Sequence, residues 1–141
     1  MAQEDIETLR AEYEVLNRND WAAAFASAPA DFALKTPAET GPHGGAATSR
    51  EGARRVYAEF FAPFEEVGFE TEAFFDHDGW VIVHIVLRSR PAGTTAAIER
   101  RGADVWTMQD GRPVRLDIFT EREDAEKAVE KMRRDRHRAP S

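Results

Sequence analysis

One carboxylic acid stands among large apolar residues in a segment that is typical of a β-hairpin. The segment Ala103 to Phe119 reads ADVWTMQDGRPVRLDIF, and Asp104 is followed by Val105, Trp106 and Met108. Two apolar runs joined by a polar turn predict a pair of strands. A carboxyl enclosed by apolar side chains has a raised pKa. In its neutral form it donates a hydrogen bond to a carbonyl or enolate oxygen.

Two interpretations of Asp104 are open from the residues alone. It is either this neutral acid, or it pairs with Arg100 or Arg115 and balances their charge. Tyr13 is the second candidate for chemistry. Apolar residues recur every three or four positions over residues 4–17, which predicts an amphipathic helix. Tyr13 lies on the buried stripe of that helix, so its hydroxyl requires a hydrogen-bond partner.

The other polar candidates have simpler explanations. His43 lies in a glycine- and proline-rich loop from Pro37 to Ser49, and we expect it to be solvated. His84 lies inside an apolar run, which favours a hydrogen-bonded residue of the core or of an interface. The sequence Asp76-His77-Asp78 precedes a glycine and is typical of a turn, where consecutive side chains diverge. We therefore predict neither a metal site nor a cofactor.

The composition restricts the class of protein. A chain of 141 residues is predicted to form one domain, residues 1–141. Its net charge of -7 argues against nucleic-acid binding, and it has no cysteine for a disulfide or a thiolate nucleophile. The acidic N-terminus lacks the pattern of a signal peptide, and no apolar run reaches membrane-helix length. We expect a cytoplasmic protein that does not bind membranes, with a frayed basic tail over residues 131–141.

The predicted elements give an α+β fold, with helices first and strands after them. Asp20 is predicted to begin a short second helix, from Trp21 to Ala26, on which Trp21 and Phe25 point the same way. A third helix begins after Ser49, and a closing helix spans residues 121–133. The strand at 80–87, WVIVHIVL, is apolar on both faces. A second copy of the protein would cover the outer face, so we expect a homodimer.

Four local motifs occur in an order that resembles a known family. They are Leu16-Asn17-Arg18-Asn19-Asp20-Trp21, Thr36-Pro37, Arg50-Glu51-Gly52 before Val56 and Phe60-Phe61, and Val105-Trp106-Thr107-Met108-Gln109-Asp110-Gly111. Together they resemble the nuclear transport factor 2-like superfamily, in its SnoaL-like branch. The resemblance implies a cone-shaped, curved antiparallel sheet closed by N-terminal helices around an apolar pocket, usually in a dimer built on the outer sheet face. Members include ketosteroid isomerases, polyketide cyclases, limonene epoxide hydrolases and non-catalytic binders, so the fold does not fix the function.

The resemblance carries over unevenly to individual residues. Asp104 falls where the isomerases place the protonated acid of their oxyanion hole. The isomerase base would fall at Thr36, which cannot accept a proton at neutral pH, and the isomerase tyrosine would fall at Glu12, beside Tyr13. The aspartate on the last strand of the cyclases and epoxide hydrolases would fall at Ile118, with Asp117 facing the other way. The arginine and aspartate of the epoxide hydrolases would fall at Ile85 and Leu87.

These observations predict a pocket for a small, apolar, carbonyl-bearing molecule. Asp104 and Tyr13 are the catalytic candidates. The candidate binding residues are Trp21, Phe25, Leu34, Thr36, Val56, Phe60, Ile85, Trp106, Leu116 and Ile118. Whether the protein is an enzyme stays open, because no base is evident. A cyclase or isomerase would use Asp104 as its acid or oxyanion donor. The alternative is a structural or partner-binding homodimer whose pocket is filled by its own side chains.

Overall fold

The computed structural model describes residues 2–37 and 46–138, with the side chains of the last two excepted. Within these ranges the chain forms three helices, α1 (Ala2–Leu16), α2 (Arg50–Phe61) and α3 (Arg122–Arg138), and a single 3₁₀ turn, Trp21–Ala23. The strands are β1 (Ala33–Lys35), β2 (Ala46–Ala47), β3 (Phe64–His77), β4 (Trp80–Pro91), β5 (Ile98–Gln109) and β6 (Arg112–Phe119). The predicted α+β class is confirmed.

The strands form one curved, unclosed sheet in the order β2-β1-β6-β5-β4-β3. The four long strands pair with one another in antiparallel fashion, whereas β1 pairs with β6 in parallel, so the sheet is mixed. Two hairpin turns carry positive φ angles at both central residues, at Asp78-Gly79 and Asp110-Gly111. Such turns match the twist of the strands they join, which explains why an Asp-Gly pair lies at each turn.

The inner face of the sheet, which carries Val83 and Trp106, is covered by α1, α2 and the 3₁₀ turn. Tyr13 from α1 and Phe61 from α2 are buried in this inner core together with Trp106. The N-terminal helices therefore cover the hairpin on one face, as the sequence predicts. Ser49 starts α2 because its Oγ accepts a hydrogen bond from the Gly52 amide at 2.9 Å.

The prediction of a second helix from Trp21 to Ala26 is wrong beyond Ala23. The Asp20 side chain makes no capping hydrogen bond, and the helical turn ends at Ala23. Phe25 has a φ of +62°, which is not helical, and its amide donates to the Glu12 carboxylate at 2.9 Å. The two aromatic residues consequently diverge. Trp21 stacks on Phe61 with ring centroids 5.1 Å apart, whereas Phe25 stacks on Phe32 at 5.0 Å.

The outer face of the sheet is partly covered by α3. Ala125 and Val129 pack against a second buried cluster that includes Trp80, Ile82 and Val105. The helix continues to Arg138, five residues beyond its predicted end. The two-sided apolar pattern of β4 is thus explained in large part within one chain, so the argument for a second copy as its cover no longer holds at Trp80 and Ile82.

The basic end of α3 contacts the turn between β3 and β4. The Arg136 guanidinium lies 3.9 Å from the centre of the Trp80 ring, and Arg133 pairs with Asp78 at 3.2 Å. These contacts hold the end of the helix on the sheet. His43 and most of its loop lie outside the described residues. None of the helices in the described ranges is long and apolar enough to cross a membrane.

Candidate functional site

Strand pairing places Asp104 on the inner face at the centre of the sheet. Its partners are Val83 on β4 and Ile118 on β6, and directly opposed residues share a face of the sheet. Asp117 is paired with Val105 and therefore belongs to the outer side. The predicted register, with Ile118 facing inward and Asp117 outward, agrees with this pairing.

Asp104 is held by a short chain of hydrogen bonds rather than by an arginine. The Tyr13 hydroxyl donates to Asp104 Oδ2 at 2.5 Å, and Trp106 Nε1 donates to the Tyr13 oxygen at 2.9 Å. The single hydroxyl proton of Tyr13 is directed to the carboxyl because the indole N–H occupies the hydroxyl oxygen. Arg115 is engaged elsewhere, so the interpretation of Asp104 as its ion-pair partner is excluded.

Burial governs the protonation of this group. The Asp104 side chain is 2% exposed, and desolvation raises the pKa of its carboxyl to about 7, although the hydrogen bond from Tyr13 acts in the opposite direction. Burial also raises the pKa of the Tyr13 hydroxyl well above its usual range, and the adjacent Asp104 carboxylate adds to the effect. Tyr13 therefore remains a neutral donor, while Asp104 exists in both protonation states near neutral pH.

Asp104 lines a cavity of about 430 Å³ between α2 and the inner face of the sheet. The wall is mostly apolar, with Val56, Phe60 and Phe61 from α2 opposite Ile85 and Leu87 from β4. Polar residues cluster at one end of the cavity, where Arg100, Arg101, Thr120 and Glu121 also line it. A cavity of this size and lining suits a small organic molecule.

The predicted binding residues divide into two groups. Thr36, Val56, Phe60, Ile85 and Ile118 line the cavity with Asp104. The others lie outside this lining, in the packed interior or at its edge: Trp21, Phe25, Leu34, Trp106 and Leu116. Phe25 and Trp106 are kept out of the cavity wall because they pack against Phe32, and the ring centroids of these three residues lie within 6.4 Å of one another. Tyr13 is behind Asp104 and holds it in place. Binding by any of these residues stays a prediction.

Tyr57 is a candidate that the sequence reasoning missed. It lines the cavity from α2 and is 4% exposed, and its ring meets Phe25 edge-on with centroids 5.1 Å apart. Burial raises the pKa of its hydroxyl well above the usual range, and the carboxylates of Asp104 and Glu12 reinforce that shift. Its spacing of four from both Ala53 and Phe61 on a predicted helix would have identified it as inward-facing.

Glu12 is a second buried acid. From the sequence alone, it is named only as the position at which the isomerases have their oxyanion tyrosine. It is 5% exposed and accepts the hydrogen bond from the Phe25 amide. Desolvation raises the pKa of Glu12 to about 7, while this hydrogen bond and the nearby Arg54 partly offset the shift. Glu12 lies outside the cavity lining, so the geometry gives it the role of fixing the backbone at Phe25.

His84 and Asp117, the remaining candidates for a base, lie away from this cavity. His84 is on the outer side near Arg122, and burial together with that cation lowers its pKa. Asp117 is fixed by Arg115 through two hydrogen bonds of 2.8 and 3.0 Å. It lines a separate depression beside α3. Neither group can take a proton from a molecule beside Asp104 without a change of structure.

Comparison with known families agrees with this geometry. The sequence model of the SnoaL-like domain matches residues 9–116, which is most of the chain. The protein belongs to the SnoaL-like domain family. The resemblance to the nuclear transport factor 2-like superfamily is therefore confirmed. No curated protein sequence matches this SnoaL-like chain.

Solved structures share the fold at low sequence identity. TerC, crystallised with polyporic acid, is 18% identical over 90% of this chain and 98% of its own, with a TM-score of 0.75. A protein assigned as a polyketide cyclase from Xanthomonas campestris pv. campestris is 17% identical over 83% and 90%, with a TM-score of 0.70. IdmH from Streptomyces antibioticus is 20% identical over 82% and 90%, with a TM-score of 0.68. At such identities the similarity shows the fold alone.

Proposed function

We propose that this SnoaL-like protein binds a small, apolar, carbonyl-bearing molecule in the cavity under α2, with the neutral carboxyl of Asp104 donating a hydrogen bond to the carbonyl oxygen. The observation that carries the proposal is a buried acid, fixed by Tyr13, at the wall of an otherwise apolar cavity. A neutral acid recognises a carbonyl without bringing a charge into the cavity. TerC was crystallised with an organic acid, which supports a small organic ligand.

The first test compares phenyl ketones with alkylbenzenes of the same length, by isothermal titration calorimetry. We expect the ketone to bind about fivefold to tenfold more tightly than the hydrocarbon at pH 6, because only the ketone accepts the hydrogen bond from Asp104. The advantage should shrink as pH rises through about 7, where Asp104 loses its proton. Equal affinities for ketone and hydrocarbon at pH 6 would contradict the proposal.

Asp104→Leu is the variant that tests the role of the carboxyl. It should abolish the preference for the ketone and leave the affinity for the alkylbenzene within about twofold of the wild type, because the apolar wall is unchanged. The hydrocarbon is thus an internal control for an intact cavity. A preference for ketones that persists in Asp104→Leu would assign recognition to another group.

Catalysis is a second candidate, favoured by one observation. A pKa of about 7 suits general acid-base chemistry at neutral pH. Asp104 would then act as the acid or oxyanion donor of an isomerase or cyclase, with Tyr57 supplying an additional hydroxyl on the wall. Exchange of the α-protons of a bound phenyl ketone in D₂O, followed by proton NMR, is the test. Exchange that depends on Asp104 supports an enzyme, and its absence leaves a binding protein.

We also propose that two copies associate through the part of the outer face that α3 leaves uncovered. The support is Phe75, which is 43% exposed beside His84. Sedimentation velocity at micromolar concentration tests this, with Phe75→Ser as the variant expected to shift the protein toward monomer. A monomeric wild type would overturn the dimer and leave the pocket proposal intact.

A further inference from the structure

Arg100 is a cation on the inner face of β5 at the polar end of the cavity. It is paired with Leu87, just as Gly102 is paired with Ile85 and Asp104 with Val83, so all three residues of β5 face inward. Arg100 and Asp104 line the same cavity. Along a strand, four residues span about 13 Å, so the cation and the acid are at opposite ends of an elongated site.

Between Arg100 and Asp104, the only inward-facing position on β5 is Gly102, which has no side chain. Gly102 lies midway between Arg100 and Asp104, and a Cβ atom at this position would come within 2.8 Å of the Phe119 carbonyl oxygen. A larger residue would require the backbone to shift. The close approach of the Phe119 backbone therefore requires glycine here, and Ile85 and Leu87 line the cavity beside it with apolar side chains.

Arg100 differs from two nearby arginines, Arg88 and Arg90, which form ion pairs with glutamates. On the outer side of the same strand pair, Arg88 bonds Glu99 at 2.9 Å, and between β4 and β3 Arg90 bonds Glu65 at 2.7 Å. Arg100 has no ion pair with any carboxylate in the described part of the chain. Glu121 also lines this end of the cavity, but it does not lie within ion-pair distance of Arg100. An exposed arginine at the entrance of an apolar cavity favours an anionic group there.

We propose that the ligand carries a carboxylate at the end opposite its carbonyl, and that Arg100 binds this carboxylate at the entrance while Asp104 binds the carbonyl inside. This inference rests on the proposed function and narrows its ligand to elongated oxo-acids. An apolar spacer between the two polar ends fits the lining from Val56, Phe60 and Leu87. Arg100 is then a specificity residue, since it selects the acid over neutral ketones of the same shape.

The probe pair is ω-benzoylheptanoic acid and its methyl ester, titrated against the wild type by calorimetry at pH 6. We expect the acid to bind about fivefold more tightly than the ester, since an exposed charge pair gives a modest gain. Arg100→Gln should remove this difference and leave the affinity for the ester unchanged. Arg112→Gln is the matched control, because it removes the same charge from an exposed position on β6 that does not line the cavity. It should preserve the preference for the acid.

The outcomes separate this inference from the proposed function. Equal binding of acid and ester to the wild type, or equal loss in Arg100→Gln and Arg112→Gln, overturns the role of Arg100. If the ester still binds and loses affinity in Asp104→Leu, the proposed function stands without it. Failure of both compounds to bind the wild type overturns both proposals. A preference for the acid that weakens as salt is added supports the ion pair.

Discussion

Asp104 and Asp117 are buried to the same degree on adjacent strands, at 2% and 4% exposure, and yet their surroundings differ completely. Asp104 faces inward and receives its hydrogen bond from the neutral Tyr13 hydroxyl. Asp117 faces outward and is bound by the Arg115 guanidinium through two bonds. One buried carboxyl is therefore compensated by a charge and the other is not.

The difference shows that the sheet accommodates its two central buried aspartates in two different ways. A carboxylate paired with a guanidinium retains its charge and has its hydrogen-bonding capacity occupied. A carboxyl that receives only a neutral donor keeps its proton to a higher pH and retains hydrogen bonds for another molecule. The side of the sheet on which an aspartate lies thus determines what it can do.

The largest expected effect is on the pH dependence of stability. The folded pKa of Asp104, about 7, lies above the unfolded value near 3.9, so this group stabilises the fold fully below about pH 4 and loses that contribution as pH rises through about 7. Relative to Asp104→Asn, the wild type should lose up to about 4 kcal/mol of unfolding free energy between pH 4 and 8. Urea denaturation followed by circular dichroism measures this. Parallel curves for the two proteins would contradict it.

A smaller loss is expected from Arg115→Met, which leaves Asp117 buried without its cation. The unfolding free energy at pH 7 should fall by about 2 kcal/mol, because an unsatisfied buried carboxylate is costly. Arg112→Met, at the exposed start of the same strand, is the matched control and should cost less than about 1 kcal/mol. Thermal or urea unfolding of both variants measures these changes. Equal losses of unfolding free energy in the two variants would show that Arg115 does not compensate the buried charge of Asp117.

Tyr13→Phe should have a comparable or slightly smaller effect, of about 1–2 kcal/mol, since both Asp104 and the Trp106 N–H lose a partner. It should also raise the pKa of Asp104 further, because the Tyr13 hydrogen bond now lowers it. Carbon-detected NMR titration of the carboxyl gives this pKa, with Asp104→Asn to assign the signal. An unchanged or lower pKa in Tyr13→Phe would mean that the hydroxyl does not stabilise the charged form.

The smallest effect concerns a third buried aspartate, Asp5, in the first turn of α1. Its Oδ1 atom and that of Asp76 lack hydrogen-bond partners within the described residues, and burial, with the Asp76 carboxylate nearby, raises the pKa of Asp5. Asp5→Asn should stabilise the protein by about 0.5–1 kcal/mol at pH 8 and by less at pH 4. The exposed neighbour Glu4→Gln serves as control in the same unfolding assay, and a loss of stability in Asp5→Asn would refute the prediction.

The fold and the register at Asp104 were accessible from the sequence because they depend on local patterns. Asp-Gly turns and runs of apolar residues predict the hairpins, and the apolar residues around Asp104 indicate that it faces inward. The parallel pairing of β1 and the two-residue strand β2 were not predicted. They depend on where distant segments meet rather than on periodicity.

The position of the cavity was harder to predict because it depends on which aromatic side chains fill the interior. The hydrogen bond that the Phe25 amide donates to Glu12 joins residues 13 apart and holds Phe25 in a conformation that no helical pattern anticipates. It turns Phe25 into the core, where it packs with Phe32 and Trp106. The open space consequently lies toward Tyr57 and Arg100, neither of which was among the predicted binding residues.

The contact of Arg136 with the Trp80 ring provides an intrinsic optical reporter. The indole is 8% exposed beneath a guanidinium at 3.9 Å, so its emission depends on whether the end of α3 stays seated. Replacing both Trp21 and Trp106 by phenylalanine in one variant would isolate this signal. The fluorescence of Trp80 would then follow the docking of α3 in real time, separately from events inside the cavity on the opposite side of the sheet.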